Sequence, residues 1–325
     1  MLTVYKAQAG QLTAEPHDPK KPLPATAVWL DLISPTQEED HAVEQYVGVS
    51  VPTPEDMAEI EASSRLYVED DARYMTATVI AGVESDKAGL VNVSFILTGD
   101  RLVTVRHGEP RVIDLYIQRI CKQTKGPTKG DTILFGMLEA VIDRTADIIE
   151  KVGAEIDETS LRVFDLHQGR VRAKKDYMAL LRKIGRKGDL LSMARESLVS
   201  LSRMVGFLSV AYDKGRGASA KRAQLIVMRR DADSLRDHVS YLSDKVMFLL
   251  DAIVGMVTIE QNDVMKIFSI VSVILMPPTL IASTYGMNFR NMPELEQWWG
   301  YPAALVVMLA SAVLPFMYFR LKRWL

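Results

Sequence analysis

Two long uncharged segments near the carboxyl end constrain this chain more than any other feature. Ile267–Thr284 is an 18-residue run without a charge, and Tyr301–Phe319 is a 19-residue run. Each is about long enough to cross a hydrocarbon core of roughly 30 Å at about 1.5 Å per residue. One such segment alone would also suit the core helix of a soluble protein. Two together, joined by a loop with Trp298, Trp299 and Tyr301, favour a membrane hairpin with aromatic residues at the interface.

Charges beside the two segments predict their orientation. Lys266 precedes the first segment, and Arg320, Lys322 and Arg323 follow the second, whereas the loop between them carries one arginine and two glutamates. The positive-inside rule then places both termini in the cytoplasm and the loop outside. The sequence Met1–Lys6 has neither the basic nor the apolar region of a signal peptide.

Composition argues against several classes of function. The net charge of −2 lacks the basic excess that nucleic-acid binding needs over a whole chain, so no nucleic-acid partner is expected. A single cysteine, Cys121, precludes an internal disulfide and a four-cysteine zinc site, and the five histidines are scattered. Residues 1–125 show no phosphate-cradling glycine motif and no nucleophile–base pair. We therefore expect neither an enzyme nor a prosthetic group.

The amino-terminal part mixes strand-like and helical patterns. Val28–Leu32 is strand-like, and Arg73–Val83, Leu90–Leu97 and Leu102–Arg106 predict a meander with a tight turn at residues 98–101. Thr53 followed by Pro54 predicts a helix start, with the threonine as cap and proline in the first turn. These patterns indicate an α+β cytosolic domain.

Long charged helices are expected after residue 128. Two helices should fold back near Asp165–Gly169, and Arg170–Lys187 holds eight basic residues and one acidic residue. This basic stretch suits anionic lipid or a nucleic acid; the alternatives are a solvated helix face or a partner for neighbouring carboxylates. Another helix begins near Lys221 and meets no breaker until Pro277–Pro278, so it would span roughly 60 residues, or about 90 Å. The two prolines predict a kink or a loosened turn.

The expected organisation is therefore a cytosolic α+β domain, long helices, and a two-helix transmembrane hairpin at the carboxyl end. The segments, in chain order, are an α/β domain at 1–128, a charged helical hairpin at 129–215, a stalk helix at 216–263, a first transmembrane helix at 264–284, an external loop at 285–300, a second transmembrane helix at 301–319 and a basic cytosolic tail at 320–325.

A polar seam follows one face of the long helix. Alternating steps of three and four residues from Asp237 join positions that share a face in a heptad pattern. The seam is acidic in the stalk, and it carries small polar residues or methionine in the first apolar segment, where its neighbours are apolar. Its positions are Asp237, Tyr241, Asp244, Phe248, Asp251, Gly255, Thr258, Asn262, Met265, Ser269, Ser272, Met276, Thr279 and Ser283.

Two arrangements explain this seam. A symmetric ring of helices around a conducting axis would place apolar residues against lipid and hydroxyl groups against water. Alternatively, a helix dimer would use serine and threonine to pack backbones closely. The repeated aspartates favour the ring, because like charges brought together without cations repel one another.

Chemistry suggests roles along the seam. Met265 and Met276, with Phe268 one position off the seam, suit an apolar constriction that gates by dewetting. Asp251 and Asp244 suit an acidic ring that concentrates cations at the inner mouth. The candidate pore-lining and gating residues are Asn262, Met265, Phe268, Ser269, Ser272, Met276, Thr279 and Ser283.

The chain resembles CorA-type magnesium transport proteins, the bacterial branch of the two-transmembrane Gly-Met-Asn metal-ion transporters. The resemblance covers nearly the whole chain and is strongest over its last 70 residues. It is carried by Tyr285–Phe289, Glu260–Lys266, Met276–Thr279, Met292–Leu295, Trp299–Pro302 and Lys322–Leu325, and in the soluble part by Ser64–Tyr67 and Phe95–Arg106.

The resemblance implies a funnel-shaped homopentamer in the bacterial inner membrane, with Gly286, Met287 and Asn288 as selectivity filter. It implies that Asn288 binds hydrated magnesium, which holds its water tightly and prefers oxygen ligands. Gly286 should allow a sharp backbone turn, so that its own carbonyl can also face the axis. Glu294 would add negative potential at the entrance, where Arg290 replaces the acidic residue of many relatives.

The resemblance also implies that magnesium is a regulatory ion as well as the transported one, bound by carboxylates between subunits. Our candidates for those carboxylates are Asp231, Asp233 and Asp237 on the stalk, with Asp70 and Asp71 on the α/β domain; ordinary solvated carboxylates are the alternative for each.

The leading functional hypothesis is magnesium influx down the electrochemical gradient, with cobalt and nickel as further substrates. One alternative is a zinc or proton-coupled transporter of the same fold. Another is a membrane-anchored metal sensor that does not conduct. An enzyme tethered by the hairpin is a third, for which residues 1–125 provide no clustered catalytic groups.

Overall fold

The structure is a computed structural model that describes residues 1–8, 10–85, 87–124, 126–165, 177–212, 218–288, 292–293, 297–322 and 324. The chain divides into two compact units, residues 1–250 and residues 251–325. The first unit contains a β-sheet and several helices. The second contains two helical segments, the first of which is the carboxyl-terminal part of a helix that begins in the first unit.

A seven-stranded sheet forms the centre of the first unit. Its order is β2-β1-β3-β7-β6-β5-β4, in which β3 and β7 are parallel and the other neighbours antiparallel. Both central strands are almost wholly buried, which suits their apolar sequences. The strands are β1 (Leu2–Gln8), β2 (Gln11–Pro16), β3 (Ala27–Ile33), β4 (Leu66–Glu69), β5 (Ala72–Ala81), β6 (Gly89–Thr98) and β7 (Arg101–Arg106).

The predicted strand at residues 28–32 and the predicted meander are confirmed. Arg73 pairs with Leu97 at one end of the β5–β6 hairpin and Ala81 with Gly89 at the other. The turn from β6 to β7 uses Gly99 at φ 56°, a conformation that glycine adopts without strain. Strands β1, β2 and β4 were not predicted; β2 and β4 are short and largely unburied, so their sequences give weak strand patterns.

Short helices border the sheet: α1 (Gln37–Val47), α2 (Pro54–Ala58), α3 (Ala62–Arg65) and α4 (Arg111–Cys121). The predicted start of α2 is confirmed, since Thr53 accepts a hydrogen bond from the Asp56 backbone N–H and Pro54 lies in the first turn.

A buried ion pair joins the two parallel strands. The Arg106 guanidinium, 1 % exposed, donates from Nη2 to Asp31 Oδ2 at 2.9 Å. Thr104 donates to the other carboxylate oxygen at 2.6 Å and accepts a hydrogen bond from the Trp29 indole at 2.9 Å. Burial alone would lower the pKa of Arg106, but the Asp31 and Asp114 carboxylates raise it. The two side chains therefore have hydrogen-bonding partners at the place where they are buried.

Three long helices follow: α5 (Gly130–Asp165), α6 (Tyr177–Ala211) and α7 (Ala218–Tyr285). The prediction of two charged helices and one very long helix is confirmed, with 68 residues in α7. The predicted reversal at Asp165–Gly169 lies largely outside the described residues. Helix α6 contacts the sheet through Ser200, whose hydroxyl accepts a hydrogen bond from the Thr78 backbone N–H at 3.0 Å.

The stalk part of α7 packs in the first unit through an apolar stripe that sequence reasoning missed. Glycines in the other helices allow close approach: a Cβ added at Gly153 of α5 would lie 3.6 Å from Leu242, and one at Gly188 of α6 would lie 3.6 Å from Val246. An ion pair between Lys245 and Asp157 of α5 lies beside these contacts. The buried stripe consists of Leu225, Met228, Ala232, Val239, Leu242, Val246 and Leu249.

The second unit contains the remainder of α7 and helix α8 (Gly300–Leu321). The backbone stays helical through Pro277 and Pro278. The Lys266 ammonium lies 5.7 Å from the Trp324 ring centroid, and that ring stacks on Phe319. These contacts bring the end of α8 beside the start of the apolar part of α7, as a hairpin requires.

Candidate functional site

The stalk part of the polar seam is exposed in the first unit. Asp237, Tyr241, Asp244 and Phe248 are exposed, whereas the apolar stripe that contains Leu242 and Val246 is buried. Two heptad seams therefore run along the same stretch of α7. One packs within the chain, and the other presents acidic and aromatic side chains that the chain itself does not cover.

Asp251, the other acidic seam candidate, belongs to the second unit and is exposed there. Gly255, Thr258 and Asn262 follow it on the seam and are exposed as well. A Cβ added at Gly255 would meet no atom within 4 Å. The seam of a single chain therefore leaves room for other molecules along this stretch.

Hydroxyl groups on the seam point their protons back into the helix. Ser269 donates to the carbonyl of Met265 at 2.9 Å, Ser272 to that of Phe268 at 2.9 Å, and Thr279 to that of Leu275 at 2.7 Å. Once its proton is used in this way, a hydroxyl has only lone pairs to offer. The exposed side of each hydroxyl therefore accepts hydrogen bonds.

Large apolar side chains interrupt this row of acceptors. Met265 is 59 % exposed, Phe268 66 % and Met276 70 %. Side chains of this size left uncovered on one helix need either lipid or other copies of the helix around them. These three residues are the ones that the sequence predicts to form an apolar constriction.

The Gly-Met-Asn triplet follows directly after α7. Gly286 donates its backbone N–H to Ala282 at 2.9 Å and Met287 to Thr284 at 3.3 Å, so the chain makes one more tight turn before Asn288. Gly286 does not adopt a left-handed φ, so the sharp turn expected of it does not depend on that conformation. A Cβ at Gly286 would instead approach the Ala282 carbonyl at 3.1 Å, so glycine keeps the turn tight. The Asn288 side chain is exposed.

The predicted cation attractor Glu294 and the neighbouring Arg290 lie outside the described residues. The predictions made for the two side chains therefore stay predictions.

The candidate regulatory carboxylates do not come together in one chain. Asp70 and Asp71 form the turn between β4 and β5, at φ 47° and 62°. Asp233 accepts a hydrogen bond from Ser202 at 3.0 Å and pairs with Arg236, while Asp237 lies 3.6 Å from the same arginine. Asp231 is exposed.

Within the part of the chain that the structure describes, no three metal-binding side chains cluster. A site between subunits, as the sequence suggested, would need carboxylates from a second copy.

A second ion pair joins the start of α7 to the start of α5. The Lys221 ammonium contacts the Asp131 carboxylate, which also accepts hydrogen bonds from Tyr212 at 3.3 Å and from Thr132 at 3.1 Å. Burial would raise the pKa of Asp131, but these donors hold it below its usual value. Burial and the Asp131 charge raise the pKa of Tyr212 to about 12. The amino-terminal end of α7 is therefore anchored before the seam begins at Asp237.

Two helices of the described chain are long and apolar enough to cross a membrane, and they are α7 and α8. Only 6 % of the apolar window in α7 and none of that in α8 is buried. The core helix of a soluble protein would be mostly buried, so lipid accounts better for both helices.

Comparison with known proteins gives concordant results. Residues 24–323 match the family model described as CorA-like Mg2+ transporter protein. The chain is 34 % identical to the magnesium transport protein CorA of Escherichia coli K12, over 100 % of both chains. The structure matches that of the complete CorA magnesium transporter from Methanocaldococcus jannaschii with a TM-score of 0.77 at 18 % identity, covering 100 % of this chain and 99 % of the other.

A second solved structure, that of the full-length CmaX protein, matches with a TM-score of 0.68 at 14 % identity, covering 99 % and 97 % of the two chains. These structural matches establish the fold: a soluble α/β domain, a long helix and a carboxyl-terminal helical hairpin. The family match over residues 24–323, with 34 % identity along the full length, shows that the chain belongs to the CorA-like Mg2+ transporter family.

Proposed function

We propose that this chain is one subunit of a homopentameric channel that carries Mg2+, and also Co2+ and Ni2+, into the cell down the electrochemical gradient. Both termini lie in the cytoplasm, and the Gly-Met-Asn loop faces outward. The observation that carries the proposal is the row of hydroxyl acceptors on the exposed face of α7, at Ser269, Ser272 and Thr279.

Acceptors suit a hydrated cation because of how water surrounds it. Water bound to Mg2+ turns its oxygen to the ion and its hydrogens outward, and Mg2+ gives up that water reluctantly. A wall that accepts hydrogen bonds therefore holds the hydrated ion without stripping it. Five copies of Asn288 would supply amide carbonyls for the same purpose at the outer mouth.

The membrane potential supplies the driving force. Each elementary charge that crosses the membrane gains about 2.3 kcal/mol per 100 mV, so a divalent ion gains about 4.6 kcal/mol. Passive influx therefore needs no coupled energy source.

Gating follows from the apolar and acidic parts of the seam. Rings of Met265, Phe268 and Met276 would close the pore by excluding water when the helices approach. Rings of Asp244 and Asp251 would repel one another unless cations lie between them. Abundant intracellular Mg2+ would neutralise such carboxylates and favour the closed state, whereas scarcity would favour opening.

Uptake by purified protein in vesicles tests the proposal. We expect Asn288→Ala to reduce Mg2+ influx by about 100-fold or more, because a pentamer would lose five hydrogen-bonding groups worth about 1 kcal/mol each. Gln297→Ala removes an exposed amide from the same loop and serves as the matched control, with influx expected to stay near that of the unaltered protein.

Other outcomes would identify the alternatives. Zinc flux that follows an imposed proton gradient, without Mg2+ flux, would indicate the coupled transporter. Absence of flux from the unaltered protein, together with metal-dependent protection from proteolysis, would indicate a sensor that does not conduct.

A further inference from the structure

A basic cavity lies in the first unit, away from the seam. It is formed between the connection from β5 to β6 and the first turns of α6, and it has a volume of about 420 Å³. A cavity of this size accommodates one small molecule. Its lining residues are Val83, Ala88, Ala179, Arg182, Lys183, Arg186, Lys187, Asp189, Leu190 and Met193.

Four of these residues form two basic columns on α6. Lys183 and Lys187 make one column, and α5 compensates both charges: Lys183 lies 3.6 Å from Glu158, and Lys187 pairs with Glu155. Arg182 and Arg186 make the other column, because residues four apart lie on the same face of a helix.

The two arginines have no such compensation. Both are exposed, and neither makes an ion pair with a described carboxylate. Glu84, on the connection opposite, is already engaged by Arg144 and lies 3.5 Å from Arg111. Among the described lining residues Asp189 is the one carboxylate. The cavity therefore has a net positive charge that an anion can neutralise.

The rest of the lining is largely apolar. Val83 and Ala88 contribute one side, and Leu190 and Met193 contribute the other. A purely inorganic anion would leave the apolar side chains of the lining exposed to water. The combination suits a ligand with a phosphate at one end and a compact apolar or aromatic group at the other.

We propose that this cavity binds an organic phosphate, with Arg182 and Arg186 as the phosphate ligands. Planar guanidinium groups donate two parallel hydrogen bonds to a phosphate, which a lysine ammonium cannot do. The sequence left open whether the basic stretch meets a nucleic acid, an anionic lipid, neighbouring carboxylates or only solvent, and Lys183 and Lys187 of that stretch pair with carboxylates of α5. A recess of about 420 Å³ takes a single phosphorylated group, so a polymer is disfavoured.

Two sources supply an organic phosphate: a soluble nucleotide, whose base also fits the apolar lining, and the head group of a phosphorylated lipid, which provides the phosphate alone. Binding is measured with the full-length protein in nanodiscs of neutral lipid, at about 0.15 M salt so that long-range attraction is screened. One arm titrates a fluorescent ATP analogue and competes it with ATP. The other arm replaces part of the neutral lipid by phosphatidylinositol 4-phosphate and measures how much of this lipid stays bound to the protein.

The variant is Arg182→Gln/Arg186→Gln. The control is Lys151→Gln/Arg195→Gln, which removes two charges from exposed positions on α5 and α6 that do not line the cavity. Ala88→Glu places a negative charge in the cavity wall without removing an arginine.

We expect the arginine variant and Ala88→Glu to weaken binding by about 10- to 100-fold, since hydrogen bonds to charged groups are lost or opposed. The control should change it by less than about threefold, because its charges lie outside the cavity.

Binding in the nucleotide arm assigns a soluble ligand, and binding confined to the lipid arm assigns a head group; either supports the site. Equal weakening in the variant and the control would show general charge attraction and overturn the proposal, as would absence of binding in both arms. All readouts are of binding, so the result does not depend on transport.

Discussion

The two units of this protein differ in where their stabilising contacts lie. The first unit buries its apolar stripe, its central strands and the Asp31–Arg106 pair within one chain. The second unit leaves nearly all its large apolar side chains exposed, and none of the residues of α8 is buried. The first unit has a core buried within one chain, while the second exposes apolar side chains that lipid or other molecules would have to cover.

This difference indicates which faces of the molecule are available for function. A face that the chain covers itself is fixed by packing and tolerates little change. A face that the chain leaves open is available for lipid, for other subunits or for an ion. The polar seam of α7 belongs to the second kind, although in the stalk it lies on the same helix as a packed stripe.

The largest effect is expected where the seam would line the proposed conducting path. Ser272→Phe should reduce Mg2+ influx to the level of vesicles without protein, because five phenyl rings would replace acceptors and exclude water. Val273→Phe introduces the same ring one position away, on the side expected to face lipid, and influx should be retained. The measurement is uptake under a negative interior potential. Equal loss in both variants would remove the distinction between the two faces.

A smaller but still large effect is expected in the packed unit. Arg106→Met leaves the Asp31 carboxylate buried without its partner, which should reduce the free energy of unfolding by about 3–5 kcal/mol. Adding Asp31→Asn should restore much of the loss, because no charge is then buried. Denaturant unfolding of the detergent-solubilised protein measures both. If the single variant unfolded like the unaltered protein, the buried network would not contribute as described.

Local patterns along the sequence predicted the parts of the fold that depend on neighbouring residues. The Thr53–Pro54 helix start, the turn at Gly99 and the very long helix all follow from short-range rules. The Asp31–Arg106 pair did not, because residues 75 apart meet only once β3 and β7 pair in parallel. Such pairing is a property of the whole sheet.

The candidate site also combines features that local patterns predict with features that they cannot predict. Heptad spacing identified the seam from Asp237 to Ser283, since side chains of one face recur at fixed steps. The neighbouring stripe of Leu242 and Val246 follows the same spacing. Its apolar residues were a signal in the sequence for a packed face of the helix. The sequence could not show whether Asp70 and Asp71 form a turn or bind a metal, because aspartate is common in both places.

Two glycines provide an intermediate test of packing. At Gly130 in the first unit an added Cβ would lie 2.5 Å from the backbone of Arg101 and Leu102, and at Gly255 in the second unit it would meet nothing within 4 Å. Gly130→Ala should therefore destabilise by about 1–3 kcal/mol through overpacking. Gly255→Ala should stabilise the helix by up to about 1 kcal/mol.

Thermal unfolding, with helix content followed by circular dichroism, compares the two alanine variants. A marked loss at Gly255 would mean that another copy packs closely against the seam there, and the second unit would then be less open than a single chain indicates.

The smallest effect concerns the charge that anchors α7 in the first unit. Asp131 has a pKa held below the ordinary value of 3.8, so its contribution to stability is fully present above that value and is lost as pH falls through the lowered pKa. Asp131→Asn should cost about 1 kcal/mol at neutral pH, because the Lys221 ammonium is partly exposed and screened. The two proteins should converge in unfolding temperature as the medium becomes strongly acidic. A difference that persisted there unchanged would show that the hydrogen bonds of Asp131, rather than its charge, hold the end of the helix.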